Sequence, residues 1–227
     1  MKKIVVLTGA GMSAESGLKT FRDSDGLWEN HNVYDVATPE AWERDPEMVL
    51  KFYNERRKQV RDAKPNKAHV ALGKLEEKYD VHIITQNIDN LHERAGSTQV
   101  IHLHGEVNKA RSSIDSGLVY ELDHWEMKLG DLCEKGSQLR PHIVWFGEPV
   151  PMIEKAIPIV EMADRLIVIG TSLAVYPAAG LLNYATPSSQ KYYIDPKGFE
   201  GDNHYPFVII KETAGVGVPR LVDQLLQ

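Results

Sequence analysis

Apolar residues in this chain gather in short continuous runs rather than in long stripes. Ile4-Val5-Val6-Leu7 is the first, and Val81 to Thr85, Gln99 to Leu103, Arg165 to Ile169, Lys191 to Ile194 and Phe207 to Ile210 repeat the form. A continuous run of this length reads as a strand covered on both faces. Between the runs lie stretches with helical spacing, Pro46 to Asp62, Pro65 to Tyr79, Met152 to Ala163 and Pro219 to Leu226. Three of them open on a proline, which suits a first helical turn. Strands alternating with helices predict an α/β fold with a doubly wound, largely parallel sheet. Two stretches break the rhythm, a loop with helices over 16–64 and a polar segment over 106–140. They are expected to be insertions that build a smaller lobe onto a large lobe of 1–15, 65–105 and 141–227, the whole forming one domain.

Composition changes this picture little. Of 227 residues 42% are hydrophobic and 26% charged, the balance of an ordinary soluble domain. A net charge of −6 offers no basic footprint for nucleic acid. No apolar run approaches the length of a membrane span, and the first strand starts too early to leave room for a signal peptide. Cys133 is the single cysteine, so no intrachain disulfide forms and a reducing compartment fits. A cytoplasmic protein with neither nucleic-acid nor membrane partners is expected. Oligomeric state is not legible.

Candidate chemistry concentrates where strands end. Gly9-Ala10-Gly11-Met12-Ser13-Ala14 follows the first strand and fits the G-x-G-x-x-G/A pattern, in which glycine lets the backbone approach a pyrophosphate and the next helix N-terminus offers N–H groups. A dehydrogenase would continue with a helix, a second strand and an acid about 20 residues on. Here the chain enters a polar loop, Ser16 to Gly26, which argues against hydride transfer. Thr85-Gln86-Asn87-Ile88-Asp89-Asn90-Leu91-His92 follows a second strand, and ligands of open α/β sheets bind beyond such carboxyl ends. His102 and His104 fall on one face of a strand. Nothing further stands at a convincing ligand spacing, so no metal is expected and a general base is the better reading. Tyr53 and Arg56 share a helix face at i, i+3, although Arg57, Lys58 and Arg61 beside them read alone as a solvated basic helix.

The string GAGMSAESGLKTFRDSDGLW resembles the nicotinamide-dinucleotide loop of the sirtuins, the NAD-dependent protein lysine deacylases. TQNID at 85–89, His104-Gly105, LRPHIVWFGE at 139–148 and Gly170-Thr171-Ser172 are similar to further motifs of that family, so the likeness runs from Ile4 to about Leu226. The resemblance implies a Rossmann-type large domain and NAD as cofactor. It assigns NAD binding to Gly9, Ala10, Gly11, Ser13, Glu15, Thr20, Phe21, Arg22, Trp28, Gln86, Asn87, Ile88, Asp89, Gly170, Thr171 and Ser172. To these it adds Asp195, where the family commonly has Asn near the adenosine ribose, and Ala214 at the adenine edge. His104 becomes the catalytic base, with Asn87 and Asp89 acting at the nicotinamide ribose, and His102 stays structural. Val144, Trp145 and Phe146 belong to an extended segment that takes the peptide as an added strand.

The implied partners are acylated lysine side chains of proteins or peptides, and the implied products are free lysine, nicotinamide and O-acyl-ADP-ribose. Tyr53 and Arg56, with Ala37 leaving room for an acid tail, resemble the class III sirtuins that remove succinyl and malonyl groups as well as acetyl. One departure is large. Most sirtuins carry two C-x-x-C pairs for structural zinc between the His-Gly and LRPH motifs, and here only Cys133 is present. The small lobe is therefore expected to be zinc-free and held by packing of Val119, Leu122, Trp125 and Leu129. Two rival readings keep the pocket: an ADP-ribosyltransferase or NAD glycohydrolase, and a non-catalytic NAD-binding module.

Overall fold

The computed structural model describes residues 1–19, 27–28, 31–199 and 206–227, with the backbone alone at 27–28. Its strands are β1 Lys3–Thr8, β2 Leu27–Trp28, β3 His31–Asn32, β4 Asp80–Thr85, β5 Val100–His102, β6 Gly105–Ser112, β7 Val119–Glu121, β8 Leu139–Ile143, β9 Arg165–Ile169, β10 Gln190–Ile194 and β11 Phe207–Ile210. The α-helices are α1 Val33–Val36, α2 Pro39–Arg44, α3 Pro46–Asp62, α4 Lys67–Leu75, α5 Leu91–Arg94, α6 Met152–Glu161 and α7 Ala214–Leu226.

Six strands form one sheet in the order β11-β10-β9-β1-β4-β5, every pair parallel. The order reverses direction between β1 and β9, and such a switch point opens a crevice at the carboxyl ends of the two strands. Alternation along β1 divides the core. Ile4 and Val6 pack with Leu72 and Leu75 of α4 and Leu221 and Val222 of α7. Val5 and Leu7 face the other way, onto Ala156 and Val160 of α6 and Leu181 and Leu182. A separate antiparallel sheet, β7-β6-β8, occupies the second expected insertion. The predicted doubly wound parallel sheet is thus present.

Helix α3 has the predicted bounds, because Asp45 accepts the Met48 N–H as N-cap and Pro46 takes the first turn. Helix α6 keeps its predicted start but ends at Glu161 rather than Ala163, and two others differ more. Helix α4 spans Lys67–Leu75 rather than Pro65 to Tyr79, since the Asn66 side chain accepts the Ala68 and His69 N–H groups and fixes the start there. Helix α7 starts at Ala214, not Pro219, and carries Pro219 inside it. Gly215 and Gly217, inside this helix, serve close approach: a Cβ at Gly217 would stand 2.7 Å from Ile194 Cγ2.

The small sheet is not held as the sequence suggested. Trp125 and Leu129 are 41% and 51% exposed, Val119 is exposed too, and of the expected four only Leu122 packs on the buried cluster of Leu50, Ala110 and Met127. The main tie is Arg57, which is wholly buried rather than solvated. Its guanidinium donates to the carbonyls of Val107 (2.6 Å) and Trp125 (2.6 Å) and to Asn54 Oδ1 (2.7 Å). Asn54 in turn bonds both the N–H and the carbonyl of Met127. Burial lowers the Arg57 pKa to about 10, so it remains a cation at neutral pH. Charged donors on these backbone carbonyls give α3 a firm grip on the second insertion.

Candidate active site

The glycine loop after β1 is shaped by its neighbour across the switch point. A Cβ at Gly9 would stand 2.6 Å from Thr171 Cβ, and one at Gly11 would stand 2.7 Å from Gly170 Cα. Gly9 N–H donates to the Ile169 carbonyl and Gly11 N–H to the Gly170 carbonyl, so the loops after β1 and β9 lie directly against each other. No α-helix follows at once. Two single 3₁₀ turns, Ala10–Met12 and Ala14–Ser16, replace the helix N-terminus that the glycine pattern suggested. Helix α7 brings its N-terminus to the cavity instead, where the Glu15 carboxylate accepts the Gly215 N–H at 2.6 Å.

Above this crevice lies a cavity of about 440 Å³. Every described residue assigned to the site lines it. Gly9, Ala10, Gly11, Ser13 and Glu15 come from the first loop, Gln86, Asn87, Ile88 and Asp89 from the loop after β4, and His104 from the end of β5. Gly170, Thr171 and Ser172 follow β9, Asp195 follows β10 and Ala214 opens α7. Ala37, Tyr53 and Arg56 close one side with Val144, Trp145 and Phe146. Thr20, Phe21 and Arg22 lie outside the described residues, as does the side chain of Trp28.

Asn87, Ser13 and Asp89 form one buried network. Asn87 Nδ2 donates to the Gly9 carbonyl (3.0 Å) and to Ser13 Oγ (3.2 Å), and Ser13 Oγ donates to Asp89 Oδ2 at 2.9 Å. Asp89 Oδ1 accepts the Leu91 N–H. Burial nevertheless raises the Asp89 pKa, because desolvation outweighs these two bonds. Gln86 Nε2 reaches across to Thr171 Oγ1 at 3.1 Å.

The two histidines have opposite electrostatic characters. His104 Nδ1 lies 3.0 Å from the Gln86 carbonyl, which only accepts, so the hydrogen sits on Nδ1 and Nε2 carries the lone pair. Burial lowers its pKa, and the ring is neutral and basic. His102 Nδ1 likewise donates to the Asn87 carbonyl at 3.0 Å, but its Nε2 faces Glu93 Oε1 at 2.7 Å. Burial is the largest effect and opposes the charge, but the Glu93 hydrogen bond and charge, with Glu106 and the Asn87 carbonyl, together outweigh it, and the His102 pKa is raised. The contact with Glu93 clamps α5 beneath the loop. Gly105, at φ +79, turns the chain from β5 into β6, and a Cβ there would collide with the His142 carbonyl.

At the opposite wall Tyr53 is wholly buried and its oxygen accepts the Trp145 indole N–H at 3.1 Å. Burial raises the Tyr53 pKa, which keeps the phenol protonated. Arg56, 5% exposed, donates to Gln59 Oε1 at 2.9 Å. Trp145 is held by a cluster to which the sequence assigned no role. Glu148 accepts the Trp145 N–H, Arg140 and Arg111, and the Arg140 guanidinium lies 3.3 Å from the Trp145 ring centre. The Val144, Trp145 and Phe146 N–H groups are committed to His104 O, Glu148 Oε2 and Ala37 O. Segment 144–146 is therefore a fixed wall, lying beyond β8, which ends at Ile143.

The profile of the Sir2 family matches residues 9–177, from the glycine loop past the loop that follows β9. The chain belongs to the Sir2 family. An NAD-dependent protein deacylase of Helicobacter pylori is 52% identical over 229 residues, covering 100% of this chain and 99% of that protein. One from Bacteroides thetaiotaomicron is 52% identical over 231 residues, covering 100% and 99%. Among solved structures, one described as a Sir2 homolog–NAD complex superposes with a TM-score of 0.89 at 41% identity, covering 99% of this chain and 90% of that one. This Sir2 member therefore has the Rossmann-like sheet that the strand order describes. Among the described residues no helix is long and apolar enough to cross a membrane.

Proposed function

We propose that this chain is an NAD-dependent protein lysine deacylase that removes acetyl groups and, through Tyr53 and Arg56, also succinyl and malonyl groups. The observation that carries the reading is His104, a half-buried neutral imidazole whose Nδ1–H is fixed on the Gln86 carbonyl, leaving the Nε2 lone pair as its reactive site in the cavity of Asn87 and Asp89. NAD fits this cavity. The glycine loop presents backbone without side chains, Glu15 and α7 close one end, and Asn87, Ser13 and Asp89 form a fixed polar end. Bound NAD would supply the ribose C1′ that the acyl oxygen attacks, nicotinamide as the leaving group, and the ribose hydroxyl that takes the acyl group.

The residues divide the work. His104 Nε2 takes a proton from a ribose hydroxyl, and the Gln86 carbonyl stabilises the imidazolium that forms. Asn87 and Asp89, immobilised by Ser13 and Gly9, set the electrostatics around the ribose without reorganising. The 144–146 wall holds the lysine stem, and Val144 is tied by its N–H to the His104 carbonyl, so stem and base keep a fixed relation. Arg56 offers its guanidinium to the acid tail of a succinyl or malonyl group beside the protonated Tyr53. Ala37 leaves room for that tail.

The zinc-free small lobe and the class III likeness belong to this proposal. At the position of the family's zinc site, Cys133 Sγ sits between Ser112 Oγ (3.4 Å) and Ser137 Oγ (3.2 Å), while Asp115 pairs with Lys135. One thiol with serine hydroxyls does not fit a structural zinc ion. We likewise propose the division into a large lobe and a small lobe made from 16–64 and 106–140, supported by the Arg57 and Asn54 bonds that join the two insertions.

Incubation with NAD and matched acetyl, malonyl and succinyl lysine peptides tests the reading. Peptide-dependent nicotinamide release with formation of O-acyl-ADP-ribose supports it. Nicotinamide release without deacylation would favour a glycohydrolase or ADP-ribosyltransferase, and NAD binding without any release would favour a non-catalytic module.

A further inference from the structure

Behind the cavity, between α4, α5 and the ends of β1 and β4, runs a line of wholly buried polar side chains that the chemistry above does not use: Thr8, Thr85, His69 and His92. Hydrogen-bond direction can be followed along it. Thr8 Oγ1 donates to Thr85 Oγ1 at 2.8 Å, and Thr85 Oγ1 also accepts the Asn87 N–H at 3.0 Å. A hydroxyl has one proton to give. Thr8 has given its own to Thr85, so at 3.2 Å from His92 Nε2 it accepts. His92 is thereby the Nε2–H tautomer with its lone pair on Nδ1. At the other end, the Asn66 N–H donates to His69 Nδ1 at 3.3 Å, which places the His69 hydrogen on Nε2.

The two remaining ring atoms are complementary. His69 Nε2–H is a donor and His92 Nδ1 an acceptor, and both are buried without another partner among the described residues. Their ring centres stand 4.8 Å apart at 62°. Leaving either atom unpaired in the interior is costly, and a small rotation that joins them removes both penalties. Burial lowers the pKa of both rings, His69 to about 4, so neither becomes an imidazolium at neutral pH.

We propose that His69 and His92 are positioning residues, joined by a His69 Nε2–H to His92 Nδ1 hydrogen bond, in a relay whose donors run one way from Asn66 through His69, His92 and Thr8 to Thr85, where the Thr85 hydroxyl also accepts the Asn87 N–H. The relay grips both walls of the cavity. Its far end fixes the Asn87 backbone, and its near end is tied to the glycine loop, because Asn66 Nδ2 donates to the Met12 carbonyl at 2.8 Å. Asn87 and Ser13 then meet at a distance set from behind. The functional part of the inference rests on the assignment of Asn87 to the nicotinamide end; the tautomers do not.

Long-range ¹H–¹⁵N correlation spectra of the ¹⁵N-histidine-labelled full chain at pH 7 test the relay directly. Two neutral rings, both Nε2–H, are expected at 69 and 92. An imidazolium or an Nδ1–H tautomer at either position would overturn the proposal, whatever the enzyme does. Exchange of labelled nicotinamide into NAD with an acetyl-lysine peptide tests the consequence. His92→Phe should lower kcat by about 10-fold to 100-fold, the scale of a displaced reacting geometry, with the peptide KM unchanged. His92→Gln, whose amide nitrogen can still reach Thr8, should recover most of it. Thr8→Val should lose as much, and the double variant no more than the worse single, because both cut one line. Equal losses for Phe and Gln, or additive losses in the double variant, would reduce His92 to packing. A wild-type chain with no exchange would sink the deacylase reading and leave the tautomer result standing.

Discussion

At the sheet end of the cavity His104 meets the Gln86 carbonyl, 18 positions away, across adjacent parallel strands; at the acyl end Tyr53 meets Trp145 across 92 positions and two insertions. The first end, neutral at its imidazole, is made of amide, hydroxyl and carboxyl groups whose hydrogen-bond directions are fixed by backbone and by one another. The second is made of cations, an indole and a phenol, kept in place by Glu148 between Arg111 and Arg140. The neutral end is suited to a reaction common to every acyl-lysine, because nothing in it reads the acyl group. On the proposed reading the charged end chooses among acyl groups, because of these only one with an acid tail brings the Arg56 guanidinium a negative charge. Damage to the first end should therefore lower turnover on all substrates, and damage to the second should change their ranking.

The largest effect is expected at the neutral end. His104→Ala should leave NAD binding largely intact and lower deacylation by a factor of roughly 100 or more on acetyl and succinyl peptides alike. Selective loss on one acyl type would break the comparison, and retained turnover would remove His104 from the mechanism. The pH profile sharpens it. His104 works as the neutral ring, so activity is lost as pH falls through its folded pKa. Burial holds that pKa below the ordinary 6.5. The acid limb of kcat/KM should accordingly lie below pH 6.5, and a limb above that value would assign it to another group.

At the charged end the prediction is one of ranking. Arg56→Met should depress kcat/KM for succinyl and malonyl peptides by on the order of 2 to 4 kcal/mol, one partner of a charge-assisted pair being lost, and leave acetyl removal nearly unchanged. Tyr53→Phe should act in the same direction with a smaller loss. Trp145→Phe keeps a ring under the Arg140 guanidinium but removes the N–H that the Tyr53 oxygen accepts, so it too should lower the succinyl-to-acetyl ratio, by about 1 kcal/mol. Parallel losses on both acyl types in the Arg56 variant would show that Arg56 serves folding or general binding.

The same contrast explains what the sequence disclosed. The neutral end was legible because its residues sit directly after strands, and strand ends converge wherever a parallel sheet switches direction. Gln86, Asn87, Asp89 and His104 needed only the apolar runs of β4 and β5 to be placed. The sequence placed Tyr53 and Arg56 on one helix face but gave no reason to bury that face, since Arg57, Lys58 and Arg61 look like a solvated surface. Arg57 was misread for a stated physical reason: its partners are the carbonyls of Val107 and Trp125, and backbone acceptors leave no trace in residue identity. Glu148 was visible only as part of a motif, because its partners Arg111 and Arg140 are brought to it by the small sheet. The start of α7 was missed because glycines needed for close contact with Ile194 and Glu15 resemble helix breakers.

The smallest expected effect is no effect, and it concerns the support of the charged end. Arg111 lies on β6, one residue from Ser112, so the small sheet carries one of the two cations that hold Glu148 and, through it, Trp145. Zinc bound there would tie metal content to acyl ranking. Cys133 instead takes part in hydrogen bonds with Ser112 and Ser137, and Arg57 and Asn54 fasten the segment to α3. Purified protein should therefore contain no stoichiometric zinc, and a strong chelator should change neither the unfolding midpoint nor the succinyl-to-acetyl ratio. Cys133→Ser should cost about 1 kcal/mol or less, the scale of a small change to a buried contact rather than of a lost metal ligand. About one zinc per chain by elemental analysis, with a chelator-induced shift in that ratio, would mean that the small sheet is metal-fastened after all and that the acyl end depends on it.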